Sequence, residues 1–249
     1  MTMLRILSVL VLTACARAVL PAQPSDDLSQ SLDTNSTLYL SWYPFGALVV
    51  NGLSFRSKNS LPISGKTEGA FTRFSEADIS SESNDYALTP WIAYISCDPD
   101  RTPTSTTTDD TLTLAKRRGA VAVVLYSMNA TTCAINKEFE SSLPALQLDI
   151  FATTSPAMAQ LIDAAFANTN SSFGSYNAAQ LDASKEAVVQ TLTSHNAREV
   201  SYLIASLESD GSNSIPTSQG VVDAATRTMA LNHVLLAIIL FGLANLWNN

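Results

Sequence analysis

The chain has 249 residues, 46% of them hydrophobic and 14% charged, with a formal net charge of −8. The apolar content excludes a disordered chain, and the length allows one domain with extensions. The acidic balance excludes a nucleic-acid partner, because phosphate binding needs a basic patch and the only basic cluster, Lys116-Arg117-Arg118, reads as a solvated helix end.

Residues 1–18 read as a signal peptide. Arg5 supplies the positive start, Ile6 to Ala14 the apolar stretch, and Ala16-Arg17-Ala18 the small residues before a cleavage at Val19. Leu12-Thr13-Ala14-Cys15 resembles a bacterial lipobox, but the C-terminal segment argues against that use. Residues 19–36 are polar and read as a flexible arm. Strands are predicted at Thr37 to Tyr43 and Ala47 to Val50, with Asn51-Gly52 as a hairpin turn signal before Leu53-Ser54-Phe55. Ser57 to Asn84 reads as polar loop with short strands.

The informative block runs from residue 91 to residue 166. Trp91 to Ser96 and Ala120 to Tyr126 are continuous apolar runs of the buried-strand type. Between them, Asp110 is placed to cap a helix from Thr111 to Arg118, which Gly119 ends. A third strand is predicted at Ala145 to Phe151, and a helix from Ser155 to Phe166 starts at Ser155-Pro156. Such alternation gives an α/β fold, a mixed β-sheet with packed helices. Residues 176–207 show helical spacing at Val188, Leu192, Val200, Leu203 and Ile204, and read as a helical extension. Residues 208–225 form a Ser-, Gly- and Asn-rich linker.

Residues 226–249 read as a C-terminal hydrophobic anchor segment. Its clean apolar run, Val234 to Ala244, is short for a membrane span, and no Lys or Arg follows Arg227. A polar spacer before a short apolar tail fits a GPI-anchor signal with Asp223 as the candidate ω residue; a single spanning helix is the alternative. Loss of Arg5, Arg17 and Arg227 with the two ends leaves 11 basic against 22 acidic side chains, a net charge of −11.

Export fits two further features. Cys15 leaves with the signal, so Cys97 and Cys133 remain as a pair for one disulfide. Each closely follows a central strand; if those strands run parallel, both ends lie at one edge of the sheet, within reach of each other. Three sequons, at Asn35, Asn129 and Asn170, sit in polar, turn-rich stretches that can take a glycan.

Ile92-Ala93-Tyr94-Ile95, then Cys97, then Ala115-Lys116-Arg117-Arg118-Gly119-Ala120-Val121-Ala122-Val123-Val124-Leu125-Tyr126 and Leu143-Pro144-Ala145-Leu146 form a recognisable series. In these residues the chain resembles the protease-associated (PA) domain family. The resemblance implies a swivelling β/β/α domain over 37–175, with its core at 91–166. It departs from the family around the first cysteine, where Ser96-Cys97-Asp98-Pro99-Asp100 replaces the usual Arg-Gly and aromatic residues. Signal, PA-like domain and apolar segment together are similar to the lumenal half of membrane RING ubiquitin ligases, without a RING zinc-ligand series.

Catalytic chemistry finds little footing. His195 and His233 are the only histidines, there is no Gly-x-Ser-x-Gly elbow, and Cys97 and Cys133 are too far apart for a redox Cys-x-x-Cys pair. Asp98, Asp100, Asp109 and Asp110 flank one loop but lack the ordered spacing and glycine turn of a calcium loop. The expectation is a non-enzymatic, cofactor-free glycoprotein of the secretory pathway. It would stand at the cell surface or on the lumenal side of an internal membrane, and bind an unknown protein or peptide. The alternative is a degenerate or accessory fragment of a PA-containing peptidase or membrane ubiquitin ligase.

Overall fold

A computed structural model describes residues 21–31, 33–44, 46–56, 66–75, 86–99, 110–194 and 200–209. All belong to the first of two compact units, Met1–Gly211; the second is Ser212–Asn249. The predicted signal peptide, most of the linker, Asp223, the anchor segment and His195 lie outside the described residues.

The two continuous apolar runs become β5 (Trp91–Ser96) and β6 (Ala120–Tyr126), which pair in parallel. Helix α1 (Thr111–Arg117) connects them, with the Asp110 carboxylate accepting from Thr113 N at its start. At its end Gly119 has φ 91°, and a Cβ there would lie 2.6 Å from the Ala87 carbonyl oxygen. Only glycine meets that turn without strain. Parallel strands in such a unit are covered on both faces, which is why they read as unbroken apolar runs.

Three more strands precede this unit and two follow it within one closed barrel. In chain order they are β2 (Asp33–Trp42), β3 (Gly46–Phe55), β4 (Lys66–Arg73), β8 (Asp149–Ala152) and β9 (Leu203–Glu208). The order around the barrel is β2-β3-β8-β6-β5-β4-β9. Strands β4, β5, β6 and β8 run parallel, while the β2–β3, β2–β9, β4–β9 and β3–β8 pairs are antiparallel. A separate ribbon joins β1 (Ala22–Ser25) to β7 (Thr132–Ile135).

Side-chain alternation divides the core in two. Leu38, Leu40, Leu53, Phe71, Ile92, Tyr94, Val124, Leu203 and Leu207 fill the barrel, and Ile162 and Phe166 of α4 (Pro156–Phe166) pack with them. Trp91, Ala93, Ile95, Val123, Leu125 and Ile150 point outward on the parallel strands. Helices α1, α5 (Ala178–Ala183) and α6 (Lys185–Ser194) and the β1–β7 ribbon contribute Leu112, Leu181, Val188 and Cys133 to this second cluster. Each large apolar side chain so buried contributes about 1.5–3 kcal/mol. Trp91 is wholly buried, packs its ring 4.4 Å from that of Tyr176, and donates its indole N–H to the Arg118 carbonyl.

Several expectations are corrected. The 19–36 arm is not wholly flexible: β1 lies within it and pairs with β7, and β2 begins at Asp33. Asn51-Gly52 is not a hairpin turn. Thr37 faces Asn51 and Ser36 faces Leu53, so Gly52, with φ 86°, is the extra residue of a bulge inside β3. The strand expected at 145–151 is shorter, because two helical turns, α2 (Lys137–Glu140) and α3 (Leu143–Leu146), and a left-handed Gln147 precede β8. Within the 176–207 extension α5 and α6 are helical, but Leu203–Glu208 is a strand. Val200, Leu203 and Ile204 fit a helical period, but Leu203, Ala205 and Leu207 also alternate, and that face enters the barrel. Strand β9 fills the gap between β2 and β4 and closes the sheet. The domain therefore runs past 175 to Glu208, and Glu208 is strand rather than linker.

Candidate binding face and the carboxyl edge of the barrel

The carboxyl ends of parallel strands are where α/β proteins commonly hold ligands. Here that edge is cross-linked. Cys97 follows β5, Cys133 lies in β7, and the two form a disulfide with Cα atoms 6.0 Å apart. Beside it the Asp98 carboxylate accepts from Ser127 Oγ at 2.6 Å and from Met128 N at 2.7 Å, tying the loop after β5 to the loop after β6. Asp98 and Asp110 are thus engaged in local hydrogen bonds; Asp100 and Asp109 lie outside the described residues.

The barrel mouth at this edge is closed by α4. Tyr94 and Tyr126 stack with centroids 3.9 Å apart, and the Tyr94 hydroxyl donates to the Ala159 carbonyl of α4. Burial pushes both phenols up from the ordinary tyrosine value; around Tyr126, Arg73 and a Ser96 hydrogen bond oppose that shift. Arg73, at the end of β4, pairs with Asp163 of α4 and lies 4.2 Å over the Phe166 ring. These groups satisfy one another, so they latch the helix over the mouth.

The open surface lies on the side of the barrel. Strands β5, β6 and β8 have their outer faces covered by helices and ribbon, whereas the outer face of β2 and β3 shows large side chains to solvent. Tyr39 is 41% and Val49 51% exposed, and they sit opposite each other in the ladder. The row continues through Ser206 on β9 to Glu68 on β4. This row floors a cleft of about 290 Å³, with Thr191 and Leu192 of α6 on one wall. Ser206 Oγ is buried and has no hydrogen-bond partner among the described residues. Lys66 on the rim pairs with Glu68 at 2.6 Å, and the neighbouring Glu208 carries no ion pair among the described residues. The cleft thus combines an apolar floor with a net acidic rim, a set suited to a polypeptide with apolar and basic side chains.

A second partly satisfied polar group lies deeper. Arg56 is 3% exposed, and its Nη2 donates to Thr132 Oγ1 at 2.8 Å, while Nε and Nη1 lack partners among the described residues. Burial lowers its pKa, which Asp27 partly offsets. It stands between the end of β3 and the β1–β7 ribbon.

The three sequons fall in different settings, each with its Asn exposed. Asn35 is in β2, Asn129 in the β6–β7 loop, and Asn170 before a 3-10 turn, Ser171–Phe173. Sequence reading brought Cys97 and Cys133 together correctly and missed Tyr39 and Val49. Their signal was available: Leu38-Tyr39-Leu40 and Leu48-Val49-Val50 carry large apolar groups on both faces where a solvated strand would alternate with polar ones.

No family model matches the chain, and no curated protein matches it in sequence. Among the described residues no helix is long and apolar enough to cross a membrane.

Proposed function

We propose that this protein is a non-catalytic binding domain of the secretory pathway, displayed outward and held at a membrane by its apolar segment, and that the β2–β3 face takes an extended stretch of another polypeptide. The exposed Tyr39–Val49 pair carries this reading, because it lies in a cleft on the outer face of the barrel, beside α6. Large apolar side chains exposed together beside a polar rim mark protein-interaction surfaces. Glu208 on that rim, which carries no ion pair among the described residues, favours a segment bearing Lys or Arg. A disulfide between two buried cysteines supports an oxidising compartment. The strand–helix–strand formed by β5, α1 and β6 supports the PA-like reading of the same residues. Lipid anchorage through a transamidase signal at Asp223 belongs to this proposal.

The test displays the full chain on the surface of a eukaryotic host and pans those cells against a peptide-display library. Enriched peptides should carry apolar and basic residues. They should lose at least about tenfold in affinity, about 1.4 kcal/mol, against Val49→Asp, and keep it against Leu161→Asp, a control whose site is 56% exposed elsewhere. Peptides indifferent to Val49→Asp, or no enrichment, would remove the β2–β3 face as the binding site. Release of the protein from intact cells by phosphatidylinositol-specific phospholipase C checks the anchor separately.

A further inference from the structure

A second depression, of about 370 Å³, is lined by Tyr43, Asn168, Thr169, Asn170, Val200 and Ser201. Tyr43 is 53% exposed. Asn170 opens the sequon Asn170-Ser171-Ser172. Its Oδ1 accepts from Ser172 N at 3.1 Å and from Ser172 Oγ at 2.9 Å, and so caps the 3-10 turn. The amide is planar. With its oxygen turned into the turn, Nδ2 is left on the other side and makes no hydrogen bond among the described residues.

We propose that Asn170 is N-glycosylated and that the first sugar of that glycan lies in this pocket against the Tyr43 ring. The inference rests on the secretory reading above. The donor is a polyprenyl-diphosphate-linked oligosaccharide. Nδ2 forms a bond to the anomeric carbon, the bond from that carbon to the diphosphate oxygen breaks, the diphosphate leaves with the electron pair, and the amide gives up one proton. Oδ1 takes no part, so both capping bonds from Ser172 survive the modification. The pocket's chemistry suits an N-acetylhexosamine. Tyr43 offers an aromatic face for the sugar's C–H groups and a hydroxyl at its tip. Asn168 donates its Nδ2 to the Ala164 carbonyl at 3.0 Å, which leaves Oδ1 to accept from the acetamido N–H.

The other two sequons lack this arrangement. Asn35 lies in β2 at the irregularity between Asp33 and Ser36, beside the fully buried Ser36, with Thr37 Oγ1 donating to Asn51 Oδ1 at 3.1 Å. Asn129 stands in the β6–β7 loop, where Thr131 Oγ1 donates to Asp26 Oδ1 at 3.0 Å. Neither lines the pocket.

The experiment expresses the full chain in a eukaryotic host that makes only high-mannose glycans, and reads site occupancy by mass spectrometry of glycopeptides. An Asn35→Gln, Asn129→Gln background then isolates the Asn170 glycan. Endoglycosidase H leaves one sugar on Asn170; in a parallel sample peptide N-glycosidase acts on the intact glycan, removes every sugar and converts Asn170 to aspartate. Occupancy at Asn170 is expected, and removal of the last sugar should lower Tm by about 2–4 °C. In Tyr43→Ala that difference should vanish, while Tyr43→Phe should keep it; the comparison cancels the Asn-to-Asp change. An occupied Asn129 beside an empty Asn170 would overturn this inference and leave the secretory reading standing. An occupied Asn170 with the same Tm difference in Tyr43→Ala would overturn the packing against Tyr43. No sequon occupied, together with free thiols at Cys97 and Cys133, would overturn the secretory reading and this inference with it.

Discussion

Opening the Cys97–Cys133 bond should destabilise the domain by an amount set mainly by the loop it closes. The two residues are 36 apart in sequence, and cross-linking such a loop removes about 13 cal/mol/K from the unfolded chain, about 3.8 kcal/mol at 25 °C. Both sulfurs are buried, so replacing the cysteines would add a cavity cost to the entropy. Reduced wild-type protein keeps both side chains and avoids that confusion. The protein is unfolded in urea with reductant and refolded with reductant present, and its equilibrium urea curve is compared with that of the oxidised form. For a slope of about 2.5 kcal/mol/M, the midpoint should fall by about 1.5 M. Amide exchange should rise first in β1 and β7, because Cys133 sits in that ribbon and Pro24 is its partner in register. A midpoint shift below about 0.4 M, about 1 kcal/mol at that slope, would refute the loop argument. Two titratable thiols in the folded protein, made without reductant, would refute the bond itself.

Two further outcomes follow from single positions. Gly119→Ala places a Cβ 2.6 Å from the Ala87 carbonyl oxygen at φ 91°, so it should cost about 1–3 kcal/mol, read as a lower thermal midpoint with the same far-UV spectrum. Asp149 opens β8, and desolvation raises its pKa above 3.8, opposed by a hydrogen bond from Thr67 and by Lys116. The folded state then binds the proton more tightly than the unfolded chain, so stability is fully present below pH 3.8 and is lost as pH rises through the raised value. Asp149→Asn should remove that loss, and its advantage over wild type in urea unfolding should be larger at pH 7 than at pH 3.

Local signals alone determined the parallel unit. Asp110 and Gly119 bracket α1, Ser155 and Pro156 start α4, and the unbroken apolar runs 91–96 and 120–126 mark the strands that α1 connects. Those runs also bring Cys97 and Cys133 to one edge, because parallel strands end on the same side. What the sequence could not decide was closure. Leu203 to Leu207 satisfies either a helical or a strand period, and only the vacant ladder positions on β2 and β4 make it a strand. Asn51-Gly52 likewise suits a turn or a bulge, and the pairing of Ser36 with Leu53 and Thr37 with Asn51 selects the bulge. The proposed binding face depends on the same closure. The apolar groups on both faces of β2 and β3 are a local pattern, but that Tyr39 and Val49 stay exposed while helices and ribbon cover the outer faces of β5, β6 and β8 is a matter of how distant segments pack.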